Sequence, residues 1–257
     1  MILSALDRLG GFATGYEVAA FSPASLNPIA WWDASDASTL YDATTGGNLV
    51  TADGAYVARW EDKTANARHL LQSTESKRPT LQTAEQNSRS VLRWGGYALG
   101  TVLSVASFPS LTDLHVVAVA KVASHVTYGR ILDRARATGF WLAEAPTSGQ
   151  FIGAARETVA PLGAIVSGSV GAWFILDLWR IGADYSVSYN NGTPVADSSD
   201  TTATASGTMY VGDMAATATN AWNGDMAEIL IFDNDLSSGD RAALLTHLAT
   251  KWGITIA

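Results

Sequence analysis

Apolar and polar positions alternate in short runs along most of this chain, and the pattern is clearest at its C-terminal end. From Gly224 the segment reads GDMAEILIFDNDLSSGDRAALLTHLATKWGI. Met226, Glu228, Leu230 and Phe232 fall on one face of a strand, and Ala227, Ile229 and Ile231 on the other. Both faces are mainly apolar, which predicts a strand covered on two sides. Ser237 then supplies a helix N-cap, with Asp240 three residues on in the capping-box position. Leu244, Leu245, Leu248 and Trp252 recur at helical spacing, and Gly253 marks the helix end. One amphipathic helix closing a strand-rich chain predicts a lid on a sandwich.

The same short apolar or alternating runs appear upstream at residues 29–35, 56–60, 90–94, 114–122, 128–134, 140–145, 150–155, 173–182, 184–190 and 209–214. Turn-rich spacers separate them, as in a sandwich rather than in alternating β-α units. Asn191-Gly192 predicts a hairpin turn, since both residues tolerate positive φ. The small-residue stretch 198–208 predicts an exposed loop or edge. Residues 1–25 differ in character. Leu3, Leu6 and Leu9 sit at a helix-like spacing before Phe12 and several glycines, and Pro23 and Pro28 punctuate the end of the segment. We read residues 1–25 as a docking arm and residues 26–257 as one domain.

Composition narrows the function classes. At 257 residues, 47% hydrophobic and 16% charged, the chain can bury a large core, and global disorder is excluded. No apolar run is long enough to cross a bilayer. The first residues lack a basic stretch, and Asp7 and Arg8 interrupt the apolar one, so no signal peptide is expected. The absence of cysteine removes disulfide frameworks and thiolate chemistry. A net charge of −8 argues against nucleic acid as the partner.

Several segments in order, IAWWDASDASTL, VARWEDKTANARHLLQ, RPTL, SVLRWGG, LHVVAVAKV, SVSYNNGTPV and WNGDMAEILIFDNDLSSGDRAALLTHLATKWGI, together resemble laminin-G-like members of the concanavalin A-like lectin/glucanase superfamily. The likeness spans roughly residues 28–254. It implies an all-β fold: a two-sheet antiparallel jelly-roll sandwich with one C-terminal α-helix, preceded here by a short N-terminal arm. Domains of this type bind sugars, mediate adhesion or sometimes hydrolyse glycans, and occur in bacterial surface proteins and in phage virion proteins.

The glucanases of that superfamily carry E-x-D-x-x-E on one strand, and retaining hydrolysis needs two carboxyl groups about 5–5.5 Å apart. Glu228 and Asp233 are separated by an odd number, as are Glu61 and Asp62, so neither pair shares a strand face. The motif is absent and a non-catalytic role is expected. A carboxylate pair drawn from separate strands stays open as a third alternative, a glycan hydrolase. The four histidines lack metal-ligand spacing. No cofactor is expected, and calcium is the one metal the residues suggest, with Asp33, Asp36, Asp213 and Asp225 near predicted strand ends.

Nine tryptophans offer aromatic surface for stacking on sugars, although most fall in apolar runs and suit core filling. Trp31 and Trp32 must face opposite ways. Trp32 and Trp141 are the stacking candidates. The expectation is an oligomeric accessory protein on a phage-like virion surface, a capsid decoration, fibre or tail component. Leu3, Leu6, Leu9 and Phe12 would dock it to other virion proteins, and the sandwich would bind glycans or the host surface. The alternative is a free, secreted carbohydrate-binding module.

Overall fold

The computed structural model describes residues 21–96, 98–135, 137–156, 163–214 and 219–257. The docking residues Leu3, Leu6, Leu9 and Phe12 lie outside these. The first half of the domain forms β1 (Ala30–Asp33), β2 (Leu40–Ala43), β3 (Gly46–Leu49), β4 (Arg59–Trp60), β5 (Leu70–Leu71), β6 (Thr80–Gln86), β7 (Arg89–Gly95), β8 (Leu103–Phe108) and β9 (Leu114–Val122). The second half adds β10 (Arg130–Arg134), β11 (Phe140–Glu144), β12 (Gln150–Ala155), β13 (Ala164–Ser167), β14 (Trp173–Ile181), β15 (Asp184–Tyr189), β16 (Val195–Ser198), β17 (Gly207–Val211) and β18 (Asn223–Phe232). A helix, α1 (Ser238–Trp252), closes the chain.

These strands pair antiparallel throughout. They make two sheets. One has eight strands in the order β16-β15-β14-β9-β18-β7-β6, with β1 also beside β18; the other runs β13-β12-β11-β10-β17-β8-β5-β4-β2-β3. The all-β two-sheet sandwich with one C-terminal helix is therefore what forms.

Apolar side chains from the facing sheets fill the interior, with Trp60, Trp94, Phe108, Trp141, Phe174 and Trp222 among the largest. The eight-stranded sheet is covered on its other side as well. Val117, Val119, Ile175, Leu230 and Phe232 point outward and are sealed by Leu244, Leu245, Leu248 and Trp252 of α1. This third layer explains why β9 and β18 read as apolar on both faces. The helix begins as its sequence predicts. Ser237 Oγ accepts from the Asp240 amide at 3.1 Å, and Gly253 ends it at φ 64°.

Two details depart from the pattern reading. β18 contains a bulge: Met226 pairs with Ala120 and Glu228 with Val119, leaving Ala227 unopposed. The extra residue shifts parity. Met226 faces the inter-sheet core with Ile229 and Ile231, while Ala227, Leu230 and Phe232 face α1. The turn expected at Asn191-Gly192 is centred one residue earlier, on Asn190 (φ 49°) and Asn191 (φ 57°), with the Gly192 amide donating to Tyr189 O at 2.9 Å. Strands β2, β3, β6 and β8 had no clear apolar run. β3 and the far half of β6 are largely exposed, so their pattern carries little hydrophobic signal.

Candidate functional site

Strand β1 lies along the second half of β18, with Trp31 opposite Leu230 and Asp33 opposite Glu228. Opposed residues share a sheet face, so these four side chains look toward α1. Glu228 is fully buried there. Its Oε1 accepts from Trp31 Nε1 at 2.7 Å, and its Oε2 accepts from Trp252 Nε1 and Lys251 Nζ, both at 2.7 Å. Lys251 Nζ also reaches Asp33 Oδ2 at 2.8 Å, and Lys63 Nζ lies 3.1 Å from the same oxygen and 2.8 Å from Asp36 Oδ2. The C-terminal turn of the helix is thus pinned by an ammonium set between two carboxylates.

The two acids titrate in opposite directions. Burial disfavours the Asp33 anion, but Lys251, Ser35 and Lys63 outweigh it and hold the carboxyl below its ordinary range. Burial raises Glu228, the Asp33 charge adds to this, and Lys251 and Trp252 offset only part. Lys63 is held in place by a loop. Asp62 accepts from the amides of Trp31, Thr64 and Arg68, each at 2.9 Å, and the Lys63 amide returns a bond to Trp31 O at 2.8 Å. The Lys63 ammonium consequently sits 4.5 Å from the centre of the Trp31 ring.

Beside this network lies an open groove of about 900 Å³. Trp31, Asp33, Ser35 and Lys63 form one wall, Thr246, His247, Thr250 and Lys251 of α1 the other, and Phe21 and Arg89 bound it. Phe21 meets the His247 ring at 5.5 Å. Burial, with Lys251 and Arg89 nearby, holds His247 below its ordinary value, so it is neutral at pH 7 and can both donate and accept. Thr246 and Thr250 are exposed, and their hydroxyls have no hydrogen bond within the described residues. Arg89 gives its Nε–H to Lys251 O at 2.9 Å and pairs with no carboxylate there. The groove therefore offers a half-buried indole, hydroxyls, a neutral imidazole and one guanidinium outside any ion pair among the described residues.

The stacking candidates are corrected by burial. Trp32 and Trp141 are both fully buried in the inter-sheet core and present no ring to solvent. Trp32 Nε1 donates to Arg68 O at 3.0 Å, and the Trp141 ring is covered by Arg130 at 4.1 Å. Six of the nine tryptophans are core residues, and the three half-buried ones, Trp31, Trp173 and Trp179, all surround α1. The calcium candidates are not assembled for a metal either. Asp33 and Asp36 converge on Lys63, Asp225 is held by Arg93 and Lys121, and Asp213 accepts from the amides of Met214 and Asn220. Among the described residues no three acids or histidines converge as a metal cluster.

The pair Asp33–Glu228 comes from separate strands, the arrangement a single-strand motif cannot reveal. Since Glu228 is sealed under α1 with both oxygens occupied, it has no path to a glycosidic oxygen in the groove.

No family model and no curated protein matches the sequence. Solved structures do match the fold. The botulinum neurotoxin serotype D binding domain aligns with a TM-score of 0.56 at 12% identity, covering 89% of this chain and 54% of that one. A GH54 α-L-arabinofuranosidase complexed with arabinofuranosyl-α-1,2-xylobiose aligns at 0.57 and 10% identity, covering 88% and 63%. Trypanosoma rangeli sialidase in complex with the inhibitor DANA aligns at 0.50 and 16% identity, covering 82% and 35%. The chain thus spans less than two thirds of each of these proteins. At such identities the shared feature is the β-sandwich.

Proposed function

We propose that this chain is a non-catalytic, concanavalin A-like carbohydrate-binding sandwich, and that its ligand lies in the groove between β1 and α1. The observation that carries the reading is the groove itself. It is an open concavity that sets the Trp31 indole among hydroxyl, imidazole and guanidinium groups suited to sugar hydroxyls. Sandwich proteins of the same fold include a sugar-complexed arabinofuranosidase and an inhibitor-bound sialidase, which supports a glycan as the ligand class. The sealing of Glu228 supports binding without hydrolysis.

The distinct apolar spacing of Leu3, Leu6 and Leu9 supports the further reading that residues 1–25 dock the domain on a phage-like particle, with the groove facing outward. A glycan array probed with wild type and with Thr246→Trp tests the site. Thr246 is exposed on the helix, so the indole fills the groove without touching the buried network. Binding to a defined glycan class that the substitution abolishes is expected. Failure to retain any glycan, or retention unchanged by Thr246→Trp, would sink the assignment.

A further inference from the structure

Two smaller cavities continue the groove past Trp31. The first, of about 470 Å³, is bounded on its near side by the same Trp31 and Lys63 and extends over Asn66 to Asp233. The second, of about 320 Å³, shares Ile29 and Asp233 with the first and reaches Thr112 and Asp113. The three cavities thus lie in a row, each sharing a wall with the next, and the row is treated as one channel. Trp31 and Lys63 form its first divide, and Ile29 and Asp233 its second. Each compartment falls within the roughly 300–1,000 Å³ that a small ligand occupies, so the channel exceeds what one sugar unit fills.

Charge along the channel is graded. Arg89, Lys251 and Lys63 outnumber Asp33 at the helix end, and Asp233 and Asp113 outnumber Arg68, which donates to Ile29 O, at the far end. Asp233 is exposed and has no hydrogen-bond donor among the described residues. A chain carrying a negative charge on every unit would meet these carboxylates and be repelled. Hydroxyl groups donate to carboxylates and accept from the cations, so they suit both ends.

We propose that the channel takes a neutral, linear oligosaccharide with sugar units on both sides of Trp31, rather than a single terminal sugar. This rests on the carbohydrate reading above and specifies its ligand. The test is calorimetry of the full chain with neutral xylo-, cello- and arabino-oligosaccharides of increasing length from the disaccharide upward, and with an oligogalacturonate of matching length. Affinity for one neutral series should rise by roughly tenfold or more as the ligand outgrows the first compartment, and the oligogalacturonate should bind more weakly. Asp233→Trp and, separately, Thr112→Trp should remove the gain with length at a melting temperature equal to that of wild type. Equal affinity for short and long members, tighter binding of the oligogalacturonate, or a length gain that survives both substitutions overturns the channel and leaves the groove assignment standing. Binding of no member overturns both.

Discussion

Lys251 stands between two carboxylates on facing strands, and its removal separates two accounts of the Asp33–Glu228 pair. If the acids were held together by backbone alone, losing the ammonium would change little. Yet Glu228 is wholly buried and its burden falls on Lys251 and two indole N–H groups. Lys251→Met keeps the aliphatic stem and leaves Glu228 without a cation, with Lys63 still on Asp33. It should cost about 3–5 kcal/mol, the scale of breaking a buried ion pair from one side. Denaturant unfolding with an unchanged m-value would report this, and a loss below about 1 kcal/mol would place the pair among surface contacts instead. Sequence reading found Asp33 and weighed Glu228, but it had no means of pairing them, because opposition across strands depends on which strands neighbour each other. It also chose Trp32 over Trp31. The run AWWD held the missing signal: Ala30 and Trp32 share one parity, Trp31 and Asp33 the other, and a carboxylate marks the face turned away from the inter-sheet core.

At the scale of elements, β18 organises the molecule. It pairs with β9 on one side and with β7 and then β1 on the other. The helix caps, the apolar stripe of α1 and the central strands were legible because each rests on local chemistry or on unbroken apolar runs. The bulge at Ala227 was not, since an extra residue leaves no mark on composition and shows only in register. Ala227 and Glu228 both face α1, so deleting Ala227 would restore strict alternation while leaving Met226 in the inter-sheet core and Glu228, Leu230 and Phe232 on the α1 face. The deletion variant should therefore fold, seen as retention of the near-ultraviolet circular dichroism of the buried tryptophans. Ala227→Gly, which keeps the count, should retain that signal. Loss of the signal on deletion would show that the bulge itself is needed for β18 to pair with β9 and β1.

For the whole molecule, the groove and the helix latch share atoms, because Asp33, Lys63 and Lys251 belong to both. Stability and binding should therefore respond together to acid. Asp33 is held below its ordinary value in the fold, so its contribution is complete above the unfolded value near pH 3.9 and is lost as pH falls through the lower, folded one. Glu228 acts in the opposite sense. Its folded value is raised, so the fold loses stability as pH climbs from about 4.3 through that raised value. Asp33→Asn should flatten the acid limb of a stability–pH curve, and Glu228→Gln the limb above it. Arg89 separates the two roles, since it is an exposed groove residue that touches the latch only through one hydrogen bond to Lys251 O. Arg89→Ala should weaken glycan binding by about tenfold, the scale of one charge-assisted hydrogen bond, and lower the melting temperature far less than Lys251→Met does. Lys251→Met should lose both binding and stability. If Arg89→Ala lowers the melting point as far as Lys251→Met does, the guanidinium serves the latch rather than a ligand.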